Sequence, residues 1–299
     1  MKTGIIDVGG GMRGTYAAGI LDWCMDQGIL FDLCIGISAG SSNMTCYVSG
    51  QRGRSIYGYL RYPQKTEYMS LRNLLTKKQY VDLDYVYGTI CNEGAEIPID
   101  YEAIMKSPME LLVSACDAET GKTKYFTKND IHPNDFSILK ASSAIPVVSK
   151  AQEIDGHYYY DGALGETIPL RKAFACGCEK VVLILSKPRE TVRKPGRDIV
   201  LARMIEKKYP ETARRLANRA ARYNLGVARA KELEAEEKVL ILAPRDLAGM
   251  DTLKTDGDGM QKLYDYGYED AEKILGFLGL EADAEAVPEK AAEDGLQEA

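Results

Sequence analysis

The chain has 299 residues, of which 45% are hydrophobic and 27% are charged. This balance is typical of a soluble globular protein with a substantial core. The formal net charge of −6 gives no indication of nucleic-acid binding. No apolar run approaches the length of a membrane-spanning helix.

The first residues lack the apolar segment and the small-residue cleavage site of a secretory signal peptide. We therefore expect the seven cysteines to be reduced thiols of a cytoplasmic protein. The spacing of Cys176 and Cys178 does not match a zinc site, and the sequence contains two histidines. We expect neither a metal nor another cofactor.

The chain begins with alternating strand and helix patterns. An apolar strand is predicted at residues 4–8, followed by a glycine loop at 9–14 and a helix at 15–27. A second apolar strand leads into a tight turn at Ser38 and another helix. This order predicts a parallel sheet covered by helices, with both loops at the carboxyl edge of the sheet.

Residues 36–40, Gly-Ile-Ser-Ala-Gly, form a G-x-S-x-G pattern. A serine on a sharp strand-to-helix turn has a strained backbone, and Gly36 and Gly40 leave space around it. The following helix directs free N–H groups toward developing negative charge. The pattern predicts Ser38 as a nucleophile.

The glycine loop allows two interpretations. Gly9, Gly11 and Gly14 match the G-x-G-x-x-G dinucleotide fingerprint. Asp32 lies at about the distance expected for a ribose ligand, but it precedes the second strand, whereas such an acid should follow it. Consecutive glycines also suit an oxyanion hole, because their N–H groups can approach a tetrahedral intermediate unobstructed. We favour the oxyanion hole, with Arg13 fixing the loop or adding positive potential.

The middle of the chain contains a tyrosine-rich segment and a hairpin. For residues 50–101 we favour amphipathic surface packing over a lid that contacts lipid. The pattern at residues 153–163 predicts a hairpin with an Asp155-Gly156 turn. Asp161 closes the outgoing strand, and an Asp-Gly pair there is by itself typical of a turn.

Four ordered motifs resemble the patatin-like phospholipase family. They lie at residues 7–14, 36–40, 141–146 and 161–163, and the resemblance covers roughly 4–172. It implies a three-layer α/β/α sandwich with a largely parallel central sheet, and hydrolysis of acyl esters, typically of phospholipids or neutral lipids. It also implies a Ser–Asp dyad, with Ser38 as the nucleophile and Asp161 as its base.

The resemblance assigns the oxyanion hole to the glycine loop. The family motif usually begins Asp-Gly-Gly-Gly, whereas here Val8 follows Asp7 and shifts the glycines by one. The candidate donors are the N–H groups of Gly9, Gly10, Gly11 and Met12. The supporting motif residues are Arg13, Gly14, Gly36, Gly40 and Gly162.

A Ser–His–Asp triad is an alternative to the dyad, and it needs a histidine within reach of Ser38. His132 lies in a polar loop, and His157 lies about four extended residues from Asp161. We favour the dyad, in which burial would raise the pKa of Asp161 and make it a better base.

The C-terminal part contains strand, helix and tail patterns. The strand at 180–186 is expected to join the catalytic sheet. Residues 187–222 carry twelve basic and four acidic side chains, which suits either a solvated face or docking on an anionic membrane. We assign residues 173–280 to a C-terminal extension, of which 187–280 resembles one seen on a bacterial branch of patatin-like proteins. Residues 281–299 form an acidic tail that is predicted to be disordered.

The leading prediction is a serine hydrolase of lipid esters, similar to phospholipase A or lysophospholipase, with its catalytic domain at residues 4–172. Its expected partners are a lipid or acyl-ester substrate and a peripheral membrane surface. The alternatives are a nucleotide-binding α/β protein that uses residues 9–14, and a non-catalytic lipid-binding protein.

Overall fold

The computed structural model of the protein describes residues 1–281, so the predicted acidic tail lies outside the described residues except for its first residue. Within this part, eight strands form one sheet. The strands are β1 (Thr3–Asp7), β2 (Leu33–Ile37), β3 (Glu110–Asp117), β4 (Thr123–Thr127), β5 (Gln152–Ile154), β6 (His157–Asp161), β7 (Lys180–Ile184) and β8 (Val239–Leu242).

Helices cover this sheet and its carboxyl edge. The α-helices are α1 (Thr15–Asp26), α2 (Ala39–Val48), α3 (Arg54–Arg61), α4 (Leu71–Lys77), α5 (Tyr101–Lys106), α6 (Ser137–Ser143), α7 (Gly162–Gly165), α8 (Leu170–Ala175), α9 (Gly196–Ile205), α10 (Pro210–Ala217), α11 (Arg219–Ala235), α12 (Gly257–Asp270) and α13 (Lys273–Leu278). Short 3-10 helices lie at Gly11–Gly14 and Lys128–Asp130, and a π-helical turn lies at Tyr85–Thr89.

The sheet is mixed but mostly parallel. Hydrogen-bonded neighbours follow the order β5-β6-β3-β2-β1-β7-β8, and β4 also pairs with β3. The pairings of β1 with β2 and β7, of β2 with β3, and of β7 with β8 are parallel. The predicted strand at 180–186 therefore joins the sheet as β7, and β8 extends it further. The domain boundary predicted at residue 172 falls within this continuous sheet.

Apolar side chains pack on both faces of the sheet. Ile5 and Ile6, consecutive on β1, belong to different clusters of buried residues because side chains alternate along a strand. The first cluster includes Ile20 of α1 and Met44 of α2, and the second includes Val227 of α11. The arrangement is a three-layer α/β/α sandwich, as predicted.

Strand β3 determines where β2 and β6 end relative to one another. Residues 112–116 pair with β4 along one edge of β3. On its other edge, Ile37 lies opposite Ser114 and Asp161 lies opposite Ala115. Because a strand has only two edges, β2 and β6 meet end to end along the same edge.

Helix α12 packs closely against α1 through glycines. A Cβ on Gly19 would collide with the Tyr264 carbonyl, and a Cβ on Gly267 would collide with the Tyr16 carbonyl. The Tyr16 hydroxyl donates a hydrogen bond to Asp270 at 2.9 Å. The C-terminal part therefore supplies a helix to the layer that also contains α1.

Candidate active site

Ser38 lies in the strained turn between β2 and α2, with φ 56° and ψ −132°. A positive φ is uncommon for a residue other than glycine, and such strain is concentrated at functional sites. A Cβ on Gly36 would collide with the backbone of Ser41. A Cβ on Gly40 would lie 2.6 Å from Cγ of Asp7. Both glycines of the pattern are therefore sterically required.

Hydrogen bonds hold the backbone of this turn on both sides. The Ser38 N–H donates to Oγ of Ser142 on α6 at 2.9 Å. The Ser38 carbonyl accepts the Ser41 N–H at 2.9 Å and the Ser41 hydroxyl at 2.6 Å. Ser142 lies in one of the sequence motifs, but its contact with the nucleophile turn has no signal in the local sequence.

Asp161 is buried at the end of β6, and its carboxyl lies close enough to the Ser38 side chain for Ser38 to lower its pKa. Its Oδ1 also accepts the Ala163 N–H at 2.8 Å. Burial raises the pKa of the Asp161 carboxyl, while Ser38, the Ala163 N–H and the charges of Arg219 and Arg193 partly offset the rise. A buried carboxyl beside a serine hydroxyl is the arrangement that direct proton transfer would need.

Two further motif glycines also allow close packing. A Cβ on Gly162 would collide with the Ser114 carbonyl of β3. A Cβ on Gly14 would collide with the Tyr59 hydroxyl. These two contacts explain why a side chain is excluded after Asp161 and at the end of the glycine loop.

Both histidines are exposed and distant from the pair of Ser38 and Asp161. His157 begins β6 and pairs with Ile154, about four strand residues from Asp161. His132 lies in an exposed turn with Asp135. Neither side chain lines the cavity beside Ser38, so the geometry gives no support to a triad.

The glycine loop has a backbone that favours glycine. The φ angles of Gly9, Gly10 and Gly11 are 66°, 144° and 60°. The Gly9 N–H donates to Oδ1 of Asp7 at 2.8 Å. The Met12 N–H donates a hydrogen bond to the Thr252 carbonyl at 3.1 Å.

Two of the four predicted oxyanion donors, Gly9 and Met12, are therefore occupied within the protein. For Gly10 and Gly11, no hydrogen bond from the N–H to any residue within 1–281 is present. The set of candidate donors narrows to these two N–H groups.

The carboxyl of Asp7, beneath the loop, is buried and has no cationic partner within residues 1–281. Its Oδ2 accepts a hydrogen bond from Nδ2 of Asn43 at 2.9 Å. Burial raises the pKa of Asp7 to about 6, while the bonds from Asn43 and Gly9 act in the opposite direction. Asp7 thus connects β1, the glycine loop and α2.

Arg13 and Thr252 fix the other side of the loop. The Arg13 Nε donates to the Ser186 carbonyl at 3.1 Å, and Nη1 donates to the Thr252 hydroxyl at 3.0 Å. A Cβ on Gly11 would collide with the Thr252 carbonyl. Of the two roles predicted for Arg13, these bonds support fixing the loop. Sequence reasoning missed Thr252, because no local pattern marks a contact across 239 positions.

A largely apolar cavity of about 120 Å³ opens beside Ser38. Its wall includes Tyr59, Tyr62, Tyr68, Val86, Tyr87 and Ile97 from the tyrosine-rich segment. The segment also forms part of the site, because four of its tyrosines face the cavity, and its preference for packing over contact with lipid stays a prediction. Thr252 and Leu253 from the C-terminal part complete the wall.

The structure does not support the dinucleotide interpretation of residues 9–14. Asp32 precedes β2 and therefore lies at the opposite end of the parallel sheet from the loop that follows β1. Its Oδ2 accepts the Thr3 N–H at 2.6 Å and the Thr3 hydroxyl at 3.0 Å. Asp32 thus tethers the start of β1 and is not positioned to bind a ribose.

Two features are absent from residues 1–281. None of the helices described there is both long and apolar enough to span a bilayer. The same residues contain no group of three or more His, Cys, Asp or Glu side chains arranged to hold a metal ion.

Comparison with known proteins identifies relatives. The chain is 27% identical over 199 residues to the uncharacterized protein YjjU of Escherichia coli (strain K12), covering 65% of this chain and 54% of that protein. The chain thus spans about half the length of this relative. The crystal structure of VipD from Legionella pneumophila aligns with a TM-score of 0.48 at 12% identity, covering 92% of this chain and 66% of the other.

Family models match both parts of the chain. A domain of unknown function, DUF6363, matches residues 209–278, which include Arg219, Thr252 and α12. The patatin-like phospholipase model matches residues 8–174, more than half of the chain, and includes Ser38 and Asp161. The chain therefore belongs to the patatin-like phospholipase family.

Proposed function

We propose that the protein is a serine hydrolase of lipid acyl esters that works through a Ser38–Asp161 dyad. The observation that carries the proposal is the juxtaposition of a serine on a strained turn and a buried carboxyl, which the register of β3 brings together. Membership of the patatin-like phospholipase family supports the substrate class.

The reaction proceeds in two steps. Oγ of Ser38 attacks the ester carbonyl while its proton passes to Asp161, and the resulting tetrahedral intermediate collapses as the alcohol leaves with that proton. Water then attacks the acyl-enzyme and gives a proton to Asp161, and the bond from Oγ to the acyl carbon breaks as Asp161 returns that proton to Ser38 and the fatty acid leaves. A raised pKa suits Asp161 for this exchange, because the carboxyl must accept a proton and then give it up in each step. A pKa nearer the working pH favours both transfers.

The glycine loop stabilises the intermediate. The N–H groups of Gly10 and Gly11 have no partner within the described chain, and they lie on a loop that packs against the Ser38 turn through Gly9. Donors fixed in advance stabilise an oxyanion strongly, because they need no reorganisation during the reaction. The hydrogen bonds that the flanking N–H groups of Gly9 and Met12 donate to Asp7 and Thr252 supply that rigidity.

The acyl chain occupies the cavity beside Ser38. Its lining is mostly apolar, so it favours hydrocarbon over the polar part of a lipid. A lipid surface in contact with the cavity entrance would deliver such a substrate. Peripheral membrane contact stays a prediction.

The test compares wild type with Ser38→Ala on p-nitrophenyl esters of short and medium acyl length, with labelling by a fluorophosphonate as a second readout. We expect hydrolysis and labelling of the wild type and the loss of both in the variant. Equal rates would rule out Ser38 as the nucleophile. An unlabelled wild type that still binds lipid would instead favour a non-catalytic lipid-binding protein.

A further inference from the structure

Four cationic side chains from distant parts of the chain gather at the carboxyl edge of the sheet. Arg13 comes from the glycine loop, Lys187 from the segment after β7, Arg193 from the approach to α9, and Arg219 from the start of α11. The side chain of Arg13 bonds to the carbonyl of Ser186, the residue before Lys187. The other three cations lie close enough to Lys187 to lower its pKa together with burial.

Acidic groups balance only part of this charge. The Asp198 carboxylate accepts hydrogen bonds from Nη2 and Nε of Arg219 at 2.6 and 2.9 Å. It also forms an ion pair with Arg193 at 3.6 Å. Arg13 donates its side-chain hydrogen bonds to neutral acceptors, the Ser186 carbonyl and the Thr252 hydroxyl. The negative charge of the exposed Asp251 partly compensates the Arg13 charge.

Lys187 is the unpaired member of the cluster. It is half-buried, and no ion pair or hydrogen bond joins its ammonium group to the rest of residues 1–281. Removing an ammonium group from water without a partner is costly, and the adjacent arginines add repulsion. An anion bound here would relieve both costs.

The cluster and the apolar cavity adjoin different members of the dyad. The cavity is lined by Ser38, and none of the four cations lines it. Arg219 instead begins α11, and Arg222, one turn later, donates to the carbonyls of Leu164 and Gly165 shortly after Asp161, so the cluster adjoins the Asp161 side of the site. An ester with its acyl chain in the cavity and its carbonyl at Ser38 would direct its alcohol part toward these cations.

We propose that Lys187, together with Arg193 and Arg219, binds the phosphate group of a phospholipid substrate on the alcohol side of the scissile ester. The inference rests on the proposed hydrolase function. Lysine offers phosphate a compact charge, and the two arginines offer planar donors. Two of the three residues precede or begin helices of the C-terminal part, and Arg219 lies in the domain of unknown function.

The kinetic test uses a monoacylglycerol and its 3-phosphate with the same acyl chain, which differ only in the phosphate group. In the wild type, kcat/KM should be higher for the phosphorylated substrate. In Lys187→Gln the ratio of the two kcat/KM values should fall about tenfold, as expected for the loss of one charge-assisted contact. Lys194→Gln is the matched control, because Lys194 is exposed and has no bonded partner in the described region; its ratio should equal that of the wild type.

A binding test by calorimetry does not depend on turnover. In a Ser38→Ala background, Lys187→Gln should weaken binding of the monoacylglycerol phosphate about tenfold, while inorganic phosphate should bind far more weakly than the lipid. An unchanged ratio together with unchanged binding would overturn the headgroup site. Inorganic phosphate binding as tightly as the lipid would assign the cluster to a free anion and overturn it too. A wild type that binds the phosphorylated lipid through Lys187 but hydrolyses neither substrate would refute the hydrolase function alone.

Discussion

Ser38 and Asp161 approach each other along one edge of β3, where the residue before Ser38 pairs with Ser114 and Asp161 pairs with the next residue, Ala115. Parallel β2 and antiparallel β6 thus end facing each other. The rigid sheet, rather than a loop, fixes the distance between the two side chains. Such placement favours direct proton transfer, which tolerates little misalignment.

Substitution of Asp161 tests the base. Asp161→Asn keeps the shape of the side chain but removes its basicity, so kcat should fall about 10²–10⁴-fold, the usual contribution of a general base. The double variant Ser38→Ala/Asp161→Asn should lose little beyond either single variant, because the two residues act as one unit. Steady-state kinetics on p-nitrophenyl esters measures both effects.

His157→Ala is the control for the dyad, since this exposed histidine lies at the far end of β6. It should retain nearly wild-type kcat. A folded His157→Ala protein as inactive as Asp161→Asn would contradict the dyad and favour a triad.

A pair of glycine substitutions separates backbone strain from steric collision. Gly9 and Gly28 have similar φ angles, 66° and 61°. A Cβ at Gly28 meets nothing within 4 Å, whereas one at Gly9 would collide with the Ile37 carbonyl and lie 3.0 Å from Cβ of Ser38. Gly28→Ala should cost about 1 kcal/mol of unfolding free energy. Gly9→Ala should cost a further 1–3 kcal/mol or so and displace the nucleophile.

Urea denaturation and ester hydrolysis distinguish the two variants. Gly28→Ala should keep its kcat, and Gly9→Ala should lose at least about tenfold, as expected for a misplaced reacting group. Equal stability and equal activity of the two proteins would show that the loop does not press on the Ser38 turn.

Thr252 is a positioning residue that acts through the glycine loop. Thr252→Val removes the hydroxyl that accepts from the buried Arg13 guanidinium. We expect kcat on a short-chain ester to fall about tenfold with little change in KM, since a charge-assisted hydrogen bond contributes about 1.5–3 kcal/mol. Thr252→Ser should restore most of the rate. A valine variant that changes only KM would show that Thr252 acts on substrate binding through the cavity wall and not through the glycine loop.

The buried Asp7 predicts a pH dependence of stability. Its folded pKa of about 6 exceeds the ordinary value of 3.8, so between these values the native state binds more protons than the unfolded state. The unfolding free energy should therefore fall as the pH rises through this window. Between about pH 5 and pH 8 the contribution of Asp7 should decrease by roughly 1–2 kcal/mol.

Urea denaturation at both pH values, in wild type and Asp7→Asn, isolates this contribution. The comparison is needed because burial also raises the pKa of Asp22 and Asp161. The stability of the variant should depend less on pH. An identical pH dependence in both proteins would mean that folding does not raise the pKa of Asp7.

The sequence determined the features that depend on short-range geometry. Spacing alone predicted the strand, glycine loop and helix at the start of the chain, because each requires particular residues within a few positions. The hairpin turn was predicted for the same reason, and Asp155 and Gly156 adopt the positive φ angles, 51° and 78°, that such a turn requires. The strained turn at Ser38 likewise follows from the glycines that flank it.

Only the tertiary structure decided which distant residues complete the site. The register of β3 brings Asp161 to Ser38, and the packing of the C-terminal part brings Thr252 to the glycine loop and Arg219 near Asp161. The cavity-facing position of tyrosines such as Tyr87 depends on how the segment after α2 folds back over the sheet edge. These contacts arise from the packing of whole helices and strands, which produces no periodic pattern in the local sequence. They therefore cannot be recognised from one sequence alone.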